Sequence, residues 1–321
     1  MTTTSGVTPA TGVAKRAVEV NGLTKRFGSR TAVDGLSFAL PIGVVAGFIG
    51  PNGAGKTTTM GMLLGLVAPT SGTGTVLGHP LGEPSSYLGR VGALIESPAF
   101  WPSLTGAENL QLLATLSGHD SGEIPGVLDL VGLAERASDR FGSYSFGMKQ
   151  RLGVAAALLG DPALLILDEP TNGLDPAGIS DMRRLIASVT RDDRTVLVSS
   201  HILSELEQVC DWLIVIDEGS LLYQGPADGY LAQAGTVVVV AAEHRADMDR
   251  LATLARAEGL DAVIDGDEIV VPVELETGDP RALAVTLNRI AFEDGIILAE
   301  LRVRRPTLES HYLATVEGDH R

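Results

Sequence analysis

The chain has little of several features, and each shortage excludes a class of protein. Cys210 is the single cysteine among 321 residues, so no disulfide can form within the chain. It stands beside Val209 and Trp212, and we predict a buried, inert thiol. Basic residues are outnumbered 24 to 40, which gives a net charge of −16. Because nucleic acids and anionic lipids are bound by basic surfaces, we predict no nucleic-acid partner and no direct lipid contact.

Long apolar runs are also missing. The longest uncharged stretches, 35–55 and 57–82, are interrupted by prolines and many glycines. Neither offers the ~20 continuous apolar residues that a transmembrane helix needs. Residues 1–16 lack the apolar core of a signal peptide, and we interpret them as a flexible tail. The chain is therefore expected to be cytoplasmic, with any membrane role mediated by a protein partner.

The segment from Gly50 to Thr57 matches the phosphate-loop pattern G-x-x-x-x-G-K-[ST] at every position. It lies between a strand-like run, 44–49, and a helix-like run, 57–66. Glycines let several backbone N–H groups point inward, and the following helix adds its positive end. We expect Lys56 to reach the β- and γ-phosphates of a nucleotide and Thr57 to bind Mg²⁺. The predicted ligands from this loop are Gly50, Asn52, Gly53, Ala54, Gly55, Lys56, Thr57 and Thr58.

Two further polar groups follow apolar runs. The run 163–167 ends in Asp168 and Glu169. Asp168 is expected to hold Mg²⁺, and Glu169 to activate the water that attacks the γ-phosphate; a polar surface turn is the alternative. His201 follows the run 195–198, at the edge of the sheet where such folds bind ligands. It is either a catalytic contact to the γ-phosphate or a structural residue.

Apolar runs that alternate with helical segments predict the fold. This alternation indicates an α/β protein with a mainly parallel sheet covered by helices on both faces. Strand-and-turn patterns predict an antiparallel β subdomain, and residues 98–158 a helical subdomain. Thr105 and Glu108 form a capping box, and Leu110, Leu113 and Leu116 are expected to form one apolar face behind it.

Residues 235–321 have a pattern of predicted strands and helices that differs from that of the preceding residues. Their pattern, β-α-β-β-α-β, predicts a small α+β C-terminal domain of the ferredoxin-like type. The dipeptide Asp265-Gly266 predicts a type I′ hairpin turn. The expected organisation is thus a tail, 1–16, a nucleotide-binding domain, 17–230, and an accessory domain, 235–321.

The segment Tyr144-Ser-Phe-Gly-Met148, followed by Lys149-Gln-Arg151, discriminates among phosphate-loop proteins. With these residues the chain resembles the ATP-binding subunits of ABC transporters, which carry an LSGGQ signature at this place. The resemblance covers about residues 17–230 and implies an ATPase that uses ATP and Mg²⁺. It further implies that Ser145 and Gly147 bind the γ-phosphate of ATP held by a second subunit. Asp175 would belong to the loop that crosses the dimer interface, and Phe27 would stack on adenine.

The chain departs from the family pattern at three positions. Phe146 replaces the first signature glycine, and Met148 replaces the glutamine. Glu96 stands where the family has the glutamine of its Q-loop; it is either an Mg²⁺ ligand or a variant linker residue. Phe100 and Trp101 follow, and they either contact a membrane partner or pack inside the helical subdomain.

The signature and the segment Pro306–Leu313 resemble those of bacterial exporters of the bacitracin- and daunorubicin-resistance type. This resemblance implies an ATPase subunit that powers a separate membrane permease and exports a drug, antibiotic or lipid-like substrate. Two copies would meet head to tail at the inner face of the cell membrane. The alternative is a soluble ABC-type ATPase that acts on a non-membrane partner.

Overall fold

The computed structural model describes residues 15–96, 98–190, 193–200, 202–273 and 278–319. The chain divides into two compact units, Met1–Gly225 and Pro226–Arg321. Of the predicted tail, residues 1–14 lie outside the described residues, and Arg16 already begins the first strand. No helix in the described ranges is long and apolar enough to span a membrane.

Strands of the first unit come from short apolar or alternating runs. They are β1 (Arg16–Phe27), β2 (Arg30–Pro41), β3 (Val45–Ile49), β4 (Ser71–Val76), β5 (His79–Pro80), β6 (Val91–Leu94), β7 (Leu164–Leu167), β8 (Thr195–Ser200), β9 (Trp212–Asp217) and β10 (Ser220–Pro226). Its helices are α1 (Lys56–Leu63), α2 (Gly106–Ser117), α3 (Ile124–Leu130), α4 (Phe146–Leu158), α5 (Pro176–Val189) and α6 (Leu203–Leu206).

The central sheet has the strand order β10-β9-β3-β8-β7-β6. Strand β3 runs parallel to both β8 and β9, and β7 runs parallel to both β6 and β8. Every residue of β3, β7 and β8 is buried, which explains why β3 and β7 are continuous apolar runs and why β8 is apolar from Val196 to Val198. The predicted α/β fold is confirmed, and the carboxyl ends of β3, β8 and β7 lie side by side at one edge.

A second, antiparallel sheet has the order β2-β1-β4-β5. The helices α2, α3 and α4 occupy the segment predicted to be helical. The capping box is confirmed: the Glu108 N–H donates to Thr105 Oγ1 at 3.1 Å, and the Thr105 N–H donates to Glu108 Oε2 at 2.8 Å. Cys210 is buried as predicted, and burial raises the pKa of its thiol far above its usual value.

The apolar face predicted for α2 is wrong at its end. Leu116 is 72% exposed, and the buried positions are Gly106, Asn109, Leu110 and Ala114. Repeated steps of three residues fall short of the 3.6-residue turn, so such a stripe rotates by about 60° at each step. Steps of three and four keep the buried face aligned along the helix.

The second unit contains α7 (Ala227–Ala234), β11 (Val237–Ala242), α8 (Met248–Ala257), β12 (Val263–Asp265), β13 (Glu268–Pro272), α9 (Pro280–Glu293), β14 (Leu298–Arg304) and α10 (Leu308–Asp319). It begins earlier than predicted because α7 packs inside it: the Tyr230 ring lies 4.3 Å from the ring of His311. Its sheet is antiparallel with the order β12-β13-β11-β14. The element order matches the predicted pattern, and the ferredoxin-like assignment stays a prediction.

The β12–β13 hairpin turn lies one residue beyond the predicted position. Asp265 pairs with Glu268, so the loop residues are Gly266 and Asp267. Gly266 has a φ of 61°, the left-handed conformation that glycine adopts freely.

The central sheet predicts a measurable stability difference. Ile166→Ala on β7 removes a fully buried side chain, and we expect the free energy of unfolding to fall by about 2–5 kcal/mol. Leu116→Ala is the matched control, because that side chain is exposed, and its effect should stay within about 0.5 kcal/mol. Urea unfolding of both variants measures the difference. Equal losses would contradict the assigned core.

Candidate nucleotide-binding and catalytic site

The phosphate loop joins β3 to α1 and is packed too closely for side chains at two of its glycines. A Cβ on Gly55 would stand 2.5 Å from the carbonyl oxygen of Ala32, and the φ of Gly55 is 101°. A Cβ on Gly50 would stand 2.5 Å from the carbonyl oxygen of Ile216. Glycine is therefore required at both positions, and the loop is held between the second strand of one sheet and β9 of the other.

Lys56 opens helix α1 and points back over the loop. Its buried Nζ donates to the carbonyl oxygens of Gly50, at 2.7 Å, and Pro51, at 3.3 Å. Glu169 Oε1 lies 3.6 Å from the same Nζ. The sequence places these residues 113 positions apart, and the parallel pairing of β3, β8 and β7 brings them together.

Asp168 connects three parts of the site. Its Oδ2 accepts a hydrogen bond from Thr57 Oγ1 at 2.7 Å, and its Oδ1 accepts one from Ser199 Oγ at 2.6 Å. The Ser199 hydroxyl also accepts from the N–H of Glu169 at 2.9 Å. Glu169 has a φ of 49°, a left-handed conformation that is strained for a residue with a side chain. Ser199 thus fixes both carboxylate-bearing residues at the end of β7.

A cavity of about 450 Å³ lies above this loop. It is lined by Phe27, Arg30, Ala32, Pro51, Asn52, Gly53, Gly55, Lys56, Thr57, Thr58 and Glu169. Of the predicted loop ligands, Gly50 and Ala54 lie beneath the surface instead of lining it. Phe27 is half exposed, and Lys25 Nζ lies 4.9 Å from the centre of its ring. One aromatic ring, that of Phe27, and the charged side chains of Arg30, Lys56 and Glu169 therefore line the same cavity.

The signature residues lie in a different cavity of similar volume, about 450 Å³. Ser145, Gly147 and Asp175 line it together. Ser145 is the N-cap of α4, where its Oγ accepts from the Met148 N–H at 3.3 Å. Asp175 is the N-cap of α5, where its Oδ1 accepts from the Gly178 N–H at 2.9 Å. None of the three lines the cavity above the phosphate loop.

Among the described site residues, Asp168 lines neither cavity but reaches the loop through its hydrogen bond with Thr57, and Glu96 has no such contact with the loop. Glu96 follows β6, is exposed and has a φ of 59°, but it lines neither cavity. His201 lies outside the described residues. Within the described part of the chain, no cluster of three or more His, Cys, Asp and Glu side chains forms a cage for a metal ion.

The two aromatic residues after Glu96 differ in their surroundings. Phe100 packs edge-on against Phe141, with ring centres 5.1 Å apart. Trp101 is 51% exposed. Phe146, the residue that departs from the family signature, is also exposed, and its ring lies against Gly173.

Two residues of the site were missed at the level of sequence. Ser199 follows the apolar run 195–198, and a serine at the end of a buried strand is a signal for a polar contact at the sheet edge. Arg30 lines the cavity beside Phe27, and no motif marks it. Both residues reach the site through contacts between segments that are distant in sequence.

Comparisons with known proteins agree with this geometry. Residues 33–172 match the family model described as ABC transporter. The bacitracin transport ATP-binding protein of Bacillus licheniformis is 48% identical over 214 residues, 66% of this chain and 70% of that protein. The linearmycin resistance ATP-binding protein of Bacillus subtilis (strain 168) is 32% identical over 303 residues, which cover 92% of this chain and 97% of that protein. A solved ATP-binding subunit of an ABC transporter superposes with a TM-score of 0.61 at 30% identity, over 68% of this chain and 93% of that one.

Ser199→Ala tests the network around Asp168. It removes a donor to a buried carboxylate and the acceptor of the Glu169 N–H, so the free energy of unfolding should fall by about 1–3 kcal/mol. Nucleotide hydrolysis should fall as well, because both carboxylates lose a positioning contact. Ser188→Ala, which removes one local bond to the Leu185 carbonyl, is the control. The network is unimportant if both variants match in denaturant unfolding and in hydrolysis rate.

Proposed function

This chain belongs to the ABC transporter family as an ATP-binding subunit that hydrolyses ATP, and from this premise we propose that it powers the export of an antibiotic through a separate membrane permease. The observation that carries the proposal is the similarity to a linearmycin resistance ATP-binding protein over 92% of this chain, a span long enough to include both units. The similarity to a bacitracin transport ATP-binding protein supports the same substrate class.

The separation of the two cavities supports a dimer. Lys56 and Thr57 line one cavity, while Ser145 and Gly147 line the other. A γ-phosphate bound by Lys56 therefore has no signature residue from its own chain lining the same cavity. We propose that two copies meet head to tail, so that the signature cavity of one closes over the phosphate-loop cavity of the other. ATP then holds the pair together, and hydrolysis releases it.

The residues at the loop fit a bound Mg²⁺. Thr57 and Asp168 present two hard oxygen ligands that are already within hydrogen-bond distance of each other. Mg²⁺ prefers few protein oxygens together with substrate phosphates and water, so a larger cage is unnecessary. When bound, the ion would neutralise charge on the β- and γ-phosphates.

Glu169 is the group that we assign to base catalysis. Its carboxylate lines the cavity beside Lys56, and its backbone is held by Ser199. In this position it can accept a proton from the water that attacks the γ-phosphate. Lys56 balances the charge of the γ-phosphate, and Phe27 offers its ring to the adenine.

The membrane partner follows from the family and from one surface feature. The relatives named above are transport or resistance ATP-binding proteins, so we propose a separate permease as the membrane partner. The exposed Trp101 offers an apolar contact for that permease. The protein would then be peripheral at the inner face of the cell membrane. The alternative of a soluble ATPase is not favoured, because the relatives named above are transport or resistance proteins.

Glu169→Gln tests both the chemistry and the transport role. We expect ATP hydrolysis to fall by roughly 10²- to 10⁴-fold while ATP binding persists, because the amide cannot accept the proton. Bacteria that express the wild-type chain with its permease should tolerate more bacitracin or linearmycin, and the variant should abolish this tolerance. Glu218→Gln, an exposed acidic residue on the β9–β10 turn, is the control. If the wild-type chain conferred resistance to neither compound, the proposed substrate class would be contradicted, whereas unchanged hydrolysis by the variant would contradict the assigned base.

A mixing experiment tests the head-to-tail dimer. Lys56→Ala disables the loop, and Gly147→Asp places a negative charge at the signature, where a new Cβ meets only Leu174 at 3.6 Å. Each variant alone should be inactive. In a mixture, the mixed dimer contains one site that combines an intact Lys56 with an intact Gly147, so hydrolysis should return.

The control mixes Lys56→Ala with a chain that carries both substitutions, which leaves no intact composite site. If each chain enclosed its own triphosphate, neither mixture would regain activity. Hydrolysis in the first mixture but not in the control supports the proposed dimer.

A further inference from the structure

Arg30 is brought to the nucleotide cavity by the register of a hairpin. Phe27 ends β1 and Arg30 begins β2, and the two residues are direct cross-strand partners. Directly opposed residues of an antiparallel pair project to the same face. Both line the cavity above the phosphate loop. The adjacent pair, Arg26 and Thr31, projects to the other face, and neither lines the cavity.

The guanidinium of Arg30 lies over the middle of the phosphate loop. Its Nη2 is 3.5 Å from the position that a Cβ would take on Gly53. Lys56, the other cation lining the cavity, is buried and held by loop carbonyls at the end near Glu169. Arg30 is therefore paired with Phe27 on the hairpin and lies close to Gly53 of the loop. Among the described residues it makes no ion pair within 4.0 Å.

We propose that Arg30 binds the α- or β-phosphate of the nucleotide. This inference rests on the proposed placement of adenine at Phe27, which puts the first two phosphates beneath the residue paired with it. The planar guanidinium presents several N–H donors in a fork that matches phosphate oxygens. The γ-phosphate, in contrast, is served by Lys56 at the far end. The contact is therefore common to ATP and ADP and absent for adenosine.

Such a contact has a distinct role in the cycle. Residues that bind the γ-phosphate distinguish ATP from ADP, whereas a ligand of the first two phosphates stabilises both complexes equally. Arg30 therefore anchors the nucleotide through hydrolysis without favouring the closed dimer. It also offsets the repulsion between the nucleotide and the Glu169 carboxylate that lines the same cavity.

The test compares Arg30→Gln with Arg26→Gln in the full chain. Both variants remove one exposed arginine from the same hairpin, and only Arg30 lines the cavity. Calorimetric titration measures the Kd of a non-hydrolysable ATP analogue, of ADP and of adenosine. We expect Arg30→Gln to raise the Kd of the analogue and of ADP alike, by roughly tenfold for a charge-assisted bond at an exposed position. The Kd of adenosine should not change, and Arg30→Lys should recover part of the loss.

Several outcomes would overturn this assignment. An effect no larger than that of Arg26→Gln would show that only the general charge matters. A loss confined to the triphosphate would place Arg30 at the γ-phosphate, and a loss shared by adenosine would assign it to the base or the hairpin itself. Thermal unfolding of the nucleotide-free variants excludes misfolding. Lys56→Ala separates the Arg30 proposal from the proposed nucleotide site. If Lys56→Ala leaves the Kd of ATP unchanged, the nucleotide site itself is wrong. If Lys56→Ala weakens ATP binding and Arg30→Gln does not, only the Arg30 assignment fails.

Discussion

The Asp168 carboxylate is the contact on which the rest of the site depends. It accepts one hydrogen bond from Thr57, the second residue of α1, and another from Ser199 on β8. These bonds connect the ends of three neighbouring strands, β3, β8 and β7. A slip of one residue along β7 would turn the carboxylate to the opposite face of the sheet. The buried, continuous pairing of these strands is what prevents such a slip.

Patterns that act within a few residues were predictable from the sequence. The phosphate loop, the Thr105 capping box and the fully buried strands each depend on neighbours along the chain. The signature serine belongs to the same group, because an N-cap needs only the first turn of its own helix. For these elements, local stereochemistry and tertiary structure favour the same conformation, so residue type and spacing are sufficient.

Contacts between distant segments were not predictable in the same way. Ser199 meets Asp168 only because β8 lies next to β7, and Arg30 meets Gly53 only because a hairpin of the second sheet covers the loop. Leu116 was predicted to lie on the buried face of α2, but packing around that helix leaves its side chain exposed. The observed hairpin turn lies one residue beyond the predicted position, because the pairing of Asp265 with Glu268 sets the register of β12 and β13. For Ser199 and Arg30 the deciding partner is far away in sequence, whereas the Gly266 turn is set by a pair of residues only three positions apart.

Lys56 shows why binding and chemistry belong to one cycle under the proposed roles. Its ammonium lies 3.6 Å from the Glu169 carboxylate and is held by two loop carbonyls. A triphosphate in the cavity competes for the same ammonium, and charge-assisted bonds to phosphate are stronger than those to neutral carbonyls. Nucleotide entry would then replace Glu169 as a partner of Lys56. In the proposed dimer, Lys56 and Glu169 belong to one chain and the signature to its mate, so this exchange would precede the closure of the site by the second copy.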